Sequence, residues 1–150
     1  MIVRPGCTQD AECLESVAQA AGLQASADAF RRDLHDPEIA FFVAEIDATA
    51  VGFVALRPKA CPGLVPSRSP LQLWRLYIHP KFHGKGVARS LTGRALIHAH
   101  AGDHDLVWLG TQVENSRAIA FYNKCGFVVA RTGYLHGDGA KAAVVMTCWL

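Results

Sequence analysis

Apolar and polar positions along this chain switch between a two-residue and a near-four-residue period, and the switches mark out its elements. The opening "IVRP" reads as a short strand. From Thr8, the expected N-cap, "TQDAECLESVAQAAG" places Ala11, Leu14, Val17, Ala18 and Ala21 at helical spacing and closes at Gly22. Ser26 to His35 reads as a second short helix, ended by Asp36-Pro37. The runs "IAFFVAEI" and "AVGFVALR", joined through "DATA", read as an antiparallel hairpin. The four prolines of "PKACPGLVPSRSP" make a loop, and "LQLWRLYIHP" is the next strand, ended by Pro80. Val87 to about Ala101 is a helix with Val87, Leu91, Ala95 and Ala99 along one stripe. After the strand "DLVWLGTQV", Asn115 caps a helix whose Ala118, Phe121, Tyr122 and Cys125 share a face, and Gly126 stops it. "FVVARTGYL" and "AAVVMTCWL" form a closing pair of strands. The order β-α-α-β-β-β-α-β-α-β-β describes an α/β (α+β) chain: a mixed sheet with helices packed on it.

Composition narrows the class. A length of 150 residues fits one domain, 1–150, with a real core. Hydrophobic residues at 51% against charged residues at 19% exclude a disordered chain. A formal net charge of +2 is too small to point to nucleic acid or an anionic membrane as the main partner. "MIVRPGCTQD" lacks the apolar core of a signal peptide, and no apolar run is long enough to span a bilayer, so a cytoplasmic protein is expected. Cys7, Cys13, Cys61, Cys125 and Cys148 form no C-x-x-C pair and read as reduced, buried small hydrophobes. In "HAHAGDHD", His98 and His100 are two apart and point to different sides of a helix, so this is read as a solvated helix end and no metal is expected.

One joint carries chemistry. In "IHPKFHGKGVARSL" a strand hands over to a helix through Gly84 and Gly86, flanked by Lys81, Lys85 and Arg89. The first N–H groups of a helix have no partner inside it, and the helix dipole adds partial positive charge there. Such a terminus attracts phosphate, and glycine lets the backbone come close to one. The segment suits a pyrophosphate; taken alone, it is also an ordinary strand–helix loop that holds two glycines.

With a second block, these residues resemble the GNAT superfamily of acetyl-CoA-dependent N-acetyltransferases. Its Q/R-x-x-G-x-G/A signature is matched at Gly86 and Ala88, after "LYIHP", with His83 where Gln or Arg is usual. "WLGTQVENSRAIAFYNKCGF" resembles the family's later block through Asn115, Ala118, Phe121-Tyr122 and Gly126-Phe127. The resemblance runs from about Leu71 to Phe127. It implies a GNAT fold: a central, mostly antiparallel mixed sheet of about seven strands flanked by about four helices.

The resemblance also implies roles. The backbone of Leu76, Tyr77 and Ile78 would bond the pantetheine arm of acetyl-CoA, and an N–H near Ile78 would polarise the thioester carbonyl. The loop His83, Gly84, Lys85, Gly86, Val87, Ala88 and Arg89 would hold the pyrophosphate, through the amides of Gly84 to Arg89. Asn115 would contact the pantetheine arm. Tyr122 would lie near the sulfur and protonate the departing thiolate; its alternative reading is a core aromatic. The Glu that many members use as general base is replaced by Gln72, and the position other members use holds Gly110. The remaining candidates are His79, Glu114, His136 and Asp138, or a water chain ordered by Gln72. In that fold "FRRDLHD" borders the acceptor site, where Arg31 or Arg32 would meet an acidic substrate.

The expected activity is acetyl transfer from acetyl-CoA to the amine of a small molecule or peptide by direct attack, since no cysteine or serine nucleophile is evident. The competing expectations are a GNAT-like module that binds acyl-CoA without turnover, and a nucleotide-binding module. Against the latter stand the missing G-x-G-x-x-G fingerprint and the missing parallel strand–helix repeats. Members of the family often form homodimers.

Overall fold

In the computed structural model, which describes residues 1–63, 66–134 and 142–150, the elements run β1 (Ile2–Pro5), α1 (Ala11–Ala20), α2 (Ala27–His35), β2 (Ala40–Ile46), β3 (Thr49–Pro58), β4 (Pro70–Ile78), α3 (Val87–Ala101), β5 (Leu106–Gln112), α4 (Ser116–Lys124), β6 (Val128–Tyr134) and β7 (Ala142–Trp149). Two short 3-10 turns, Thr8–Asp10 and Pro80–Phe82, complete the described elements. The chain divides into two compact units, Met1–Arg57 with Trp74–Ala95 and Pro58–Leu73 with Leu96–Leu150. Seven strands make a mixed sheet, with neighbours β1-β2-β3-β4 in the first unit and β4-β5-β7-β6 in the second.

In the first unit, β2 and β3 are apolar at both parities because both faces are covered. Phe41, Val43, Phe53 and Ala55 join Ala11, Leu14, Val17 and Ala18 of α1 and Phe30 of α2 in one buried cluster. Phe42 points the other way, where the Arg94 guanidinium of α3 lies 4.9 Å from its ring. The hairpin pairs from Ala40↔Leu56 to Ile46↔Thr49. Its two turn residues, Asp47 and Ala48, have φ of 52° and 61°. That left-handed pair matches the twist of the strands, here without a glycine. β3 runs antiparallel to the end of β4: Val51 O accepts from His79 N at 2.8 Å, and Gly52 lies against Tyr77 and Ile78. A Cβ on Gly52 would sit 2.8 Å from Ile78 Cδ1 and 3.1 Å from Tyr77 O, so this close approach requires glycine.

Thr8 does not cap α1. The chain enters through the Thr8–Asp10 turn, and the Asp10 carboxylate accepts from Cys7 N at 2.8 Å. Arg4 grips both oxygens of the same carboxylate, at 2.7 and 2.9 Å, and reaches Glu45 at 2.8 Å. The half-buried guanidinium so placed holds the Asp10 carboxyl below the usual carboxylate range. The second helix starts as read, with Ser26 Oγ accepting from Ala29 N at 3.1 Å.

In the second unit, β5 pairs in parallel with β4 over Pro70–Gln72 and antiparallel with β7 from Leu106↔Trp149 to Gln112↔Ala143. β7 therefore lies between β5 and β6, its five central residues buried. Trp108 Nε1 donates to Lys59 O at 2.8 Å, and its ring packs with Cys61, Leu106 and Val145. The cysteines are free thiols, but only Cys61 is buried: Cys7 and Cys13 are exposed, and Cys125 and Cys148 are half-buried. Cys13 falls on the solvent side of α1, away from the Leu14–Val17–Ala18 stripe. Burial pushes the Cys61 and Cys148 thiols up, which keeps them protonated and inert.

Candidate active site

The glycine joint is built in the first unit. Tyr77 of β4 packs on the cluster, its ring 5.9 Å from Phe53, and Ile78 is buried. These contacts fix Leu76, Tyr77 and Ile78 at the strand's end, past its pairing with β5. Pro80 then starts the 3-10 turn, which His79 caps: its Nδ1 accepts from Lys81 N at 3.2 Å. The chain passes extended through His83 and turns through Gly84 and Gly86, at φ of 76° and 79°. A Cβ at either glycine would meet nothing within 4 Å. Backbone conformation therefore demands these glycines, and the space beside them is open.

α3 begins immediately after. Gly86 O accepts from Ser90 N at 3.1 Å, which makes Gly86 the N-cap. Glycine has no side chain with which to satisfy the amides of Val87, Ala88 and Arg89. Val87, Leu91 and Ala95 are buried and anchor the helix, while Lys81, His83, Lys85 and Arg89 are exposed around its start. The result is a glycine-led helix start ringed by exposed cations, with no acidic residue in its first turn.

The second unit carries the other block. Asn115 caps α4, its Oδ1 accepting from Ala118 N at 3.2 Å, a bond that does not use its Nδ2 donors. Tyr122 is half-buried on α4 between the rings of Phe121 at 5.1 Å and Phe127 at 5.6 Å. Gly126, at φ 98°, ends the helix and lets Phe127 N reach Tyr122 O at 3.0 Å. Gln72 is half-buried opposite Trp108. Gly110 pairs with Val145, and Glu114 is exposed after β5. His136 and Asp138 lie outside the described residues. At the end of α3, His98 is half-buried and His100 exposed, and among the described residues no group of three His, Cys, Asp or Glu could hold a metal ion.

Sequence reasoning missed a cationic cluster in the first unit. The guanidiniums of Arg57 on β3 and Arg75 on β4 lie 4.0 and 4.2 Å from the ring centre of Trp74, and Arg75 lies 5.6 Å from that of Phe30. Burial, and then the charge of Arg75, depress the Arg57 pKa, while Asp33 opposes the shift. The available signal was two arginines, one next to a tryptophan, set in otherwise apolar strands. Arg31, by contrast, is engaged with Asp28 at 2.6 Å and Glu12 at 4.0 Å.

Comparison with known proteins gives the family and the fold. Residues 9–127 match the model of the Acetyltransferase (GNAT) family. An uncharacterized N-acetyltransferase of Mycobacterium bovis is 31% identical over 118 residues, covering 79% of this chain and 71% of that protein. An uncharacterized N-acetyltransferase of Methanocaldococcus jannaschii is 32% identical over 90 residues, 60% of this chain but 39% of that longer protein. In structure, the PaiA N-acetyltransferase of Thermoplasma acidophilum, solved in complex with coenzyme A, superposes with a TM-score of 0.78 at 22% identity, over 99% of this chain and 98% of that one. The chain belongs to the GNAT family of acetyltransferases, whose acyl donor is acetyl-CoA, and it has that family's fold.

Proposed function

We propose that this chain transfers an acetyl group from acetyl-CoA to a primary amine of a small molecule or peptide by direct attack. The observation that carries the reading is the pair of left-handed glycines, Gly84 and Gly86, opening onto the start of α3. The coenzyme A bound by the Thermoplasma relative supports the same donor.

Acetyl-CoA supplies an acetyl group already activated as a thioester. Backbone amides from Gly84 to Arg89 bind the pyrophosphate, with Lys85 and Arg89 adding charge. The backbone of Leu76, Tyr77 and Ile78 orients the pantetheine arm as an added strand does, assisted by Asn115. The Ile78 N–H steadies negative charge on the carbonyl oxygen during attack. Tyr122 Oη gives its proton to the departing thiolate. Gln72 holds the water that takes the proton from the amine. His79 is the alternative base, but its Nδ1 lone pair already serves Lys81 N, which fixes the neutral ring's proton on Nε2.

A second reading, an acyl-CoA-binding module without turnover, is favoured by one feature: Gln72 and Gly110 stand where a carboxylate base is usual. Release of free CoA from acetyl-CoA, followed over a panel of amines, separates the two. Amine-dependent release upholds transfer. Tight CoA binding with no release under any amine upholds the module.

A further inference from the structure

Arg57, Trp74, Arg75, Phe30 and Asp33 all belong to the first unit. Two guanidiniums share one indole there, at 4.0 and 4.2 Å. Arginine keeps its proton under all ordinary conditions, so neither can relieve the repulsion by becoming neutral. Asp33 acts on the Arg57 pKa with the opposite sign to Arg75. The Arg75 Nη1 is buried and has no hydrogen-bond partner among the described residues. Stacking on Trp74 and the approach to Phe30 hold the guanidinium plane in place without satisfying that N–H. A buried guanidinium N–H favours an acceptor atom within hydrogen-bond reach.

We infer that Arg75, held by Trp74 and backed by Arg57, binds a carboxylate of the acetyl acceptor, so that the substrates are amines that also carry a carboxylate. A guanidinium offers parallel donors to the two oxygens of a carboxylate, and two clustered guanidiniums favour an anion beside them. The position suits an acceptor site. Arg75 precedes Leu76 on β4 and stands three residues before Ile78, about 10 Å along a strand that rises roughly 3.3 Å per residue. That span admits an amino acid or the first residue of a peptide. The inference rests on the acetyl-transfer reading for its reaction, though not for its binding site.

The test uses the full chain and matched acceptors: free amino acids, their C-terminal amides, and peptides that begin with Asp or Glu and end in an amide. CoA release should favour carboxylate-bearing acceptors over their amides by at least tenfold in kcat/KM. Preference for free amino acids assigns an α-carboxylate, and preference for the Asp or Glu peptides a side-chain carboxylate. In Arg75→Gln the preference should fall below threefold, through KM rather than kcat, and Arg75→Lys should recover part of it. Equal use of acid and amide by the wild type overturns the inference without any variant. So does a preference that Arg75→Gln leaves intact. If no amine is turned over, acetyl transfer itself fails. Calorimetry with N-acetylated amino acids and their amides, in the presence of CoA, then reads the site directly. Tenfold tighter, Arg75-dependent binding of the acids upholds it, and equal binding overturns it.

Discussion

His79 Nδ1 accepts the backbone N–H of Lys81 at 3.2 Å, which turns a candidate base into the cap of the turn that leads to the glycine loop. A histidine used this way has no lone pair left for an amine proton. The rate of acetyl transfer should therefore climb with pH toward the acceptor's own pKa, with no plateau above about 6.5 where a histidine base would titrate. His79→Ala should keep that profile's shape and lower stability by about 1 kcal/mol, the usual size of a lost cap. A wild-type plateau that disappears in His79→Ala would restore His79 as the base.

Gly86 combines a φ of 79° with open space where its Cβ would be. Gly86→Val forces a branched side chain into a left-handed conformation and fills the space beside the helix start. CoA affinity should fall at least tenfold, or about 1.4 kcal/mol, by calorimetry. A folded variant with unchanged CoA affinity removes the phosphate role of this loop.

Much of the local structure around this loop was legible because local rules govern it. The α3 stripe of Val87, Leu91, Ala95 and Ala99 is fully buried, as a single packed face requires. Asn115 caps the helix it was expected to cap, since capping is decided within four residues. What the sequence hid was long-range. Nothing local places β7 between β5 and β6. Thr8, expected to cap α1, lies inside a 3-10 turn instead, where the Asp10 carboxylate bonds Cys7 N and Arg4, on another element, binds the same carboxylate. The Arg57–Trp74–Arg75 cluster draws on two strands, and no spacing in either one announces it.

Asp105 ties the loop before β4 to the start of β5. Its carboxylate accepts from Ser67 Oγ, from Arg68 N at 2.8 Å and from Ser69 N at 3.0 Å. These bonds, the Ser67 hydroxyl first, lower its pKa to about 2. In the unfolded chain an aspartate titrates near 3.9. The folded value is the lower one, so the stabilisation is complete above about 3.9 and is lost as pH falls through about 2. The stability gap between wild type and Asp105→Asn, read from urea midpoints, should be constant above pH 5 and shrink toward pH 2. A gap independent of pH would show that the carboxylate's charge contributes nothing.

Tyr122 sits between Phe121 and Phe127, contacts that position its ring without using its hydroxyl. Tyr122→Phe should keep those ring contacts and the fold. Removal of the proton donor should lower kcat roughly 100-fold and leave CoA affinity nearly unchanged, as expected of a general acid. A kcat equal to wild type would reduce Tyr122 to a packing residue.

Gln72 lies opposite Trp108, half-buried, at the position where the family resemblance leads one to expect a glutamate. A glutamine amide orders water but takes no proton at neutral pH. Proton removal then falls to solvent and to the amine's own equilibrium, and only the small unprotonated fraction of a lysine-like amine, of pKa about 10.4, reacts. Gln72→Glu has nearly the same shape and supplies a carboxylate. It should raise kcat/KM at pH 7 and bend the pH profile to a plateau at the pKa of the new group. Partial burial beside an indole should raise that pKa above the ordinary carboxylate value, closer to the operating pH, where a general base works best. The measurement is kcat/KM from pH 5 to 10 for wild type and variant with one amine. A variant slower than wild type at every pH, with its fold and CoA affinity intact, would mean that this position does not face the acceptor amine and that the water relay runs elsewhere.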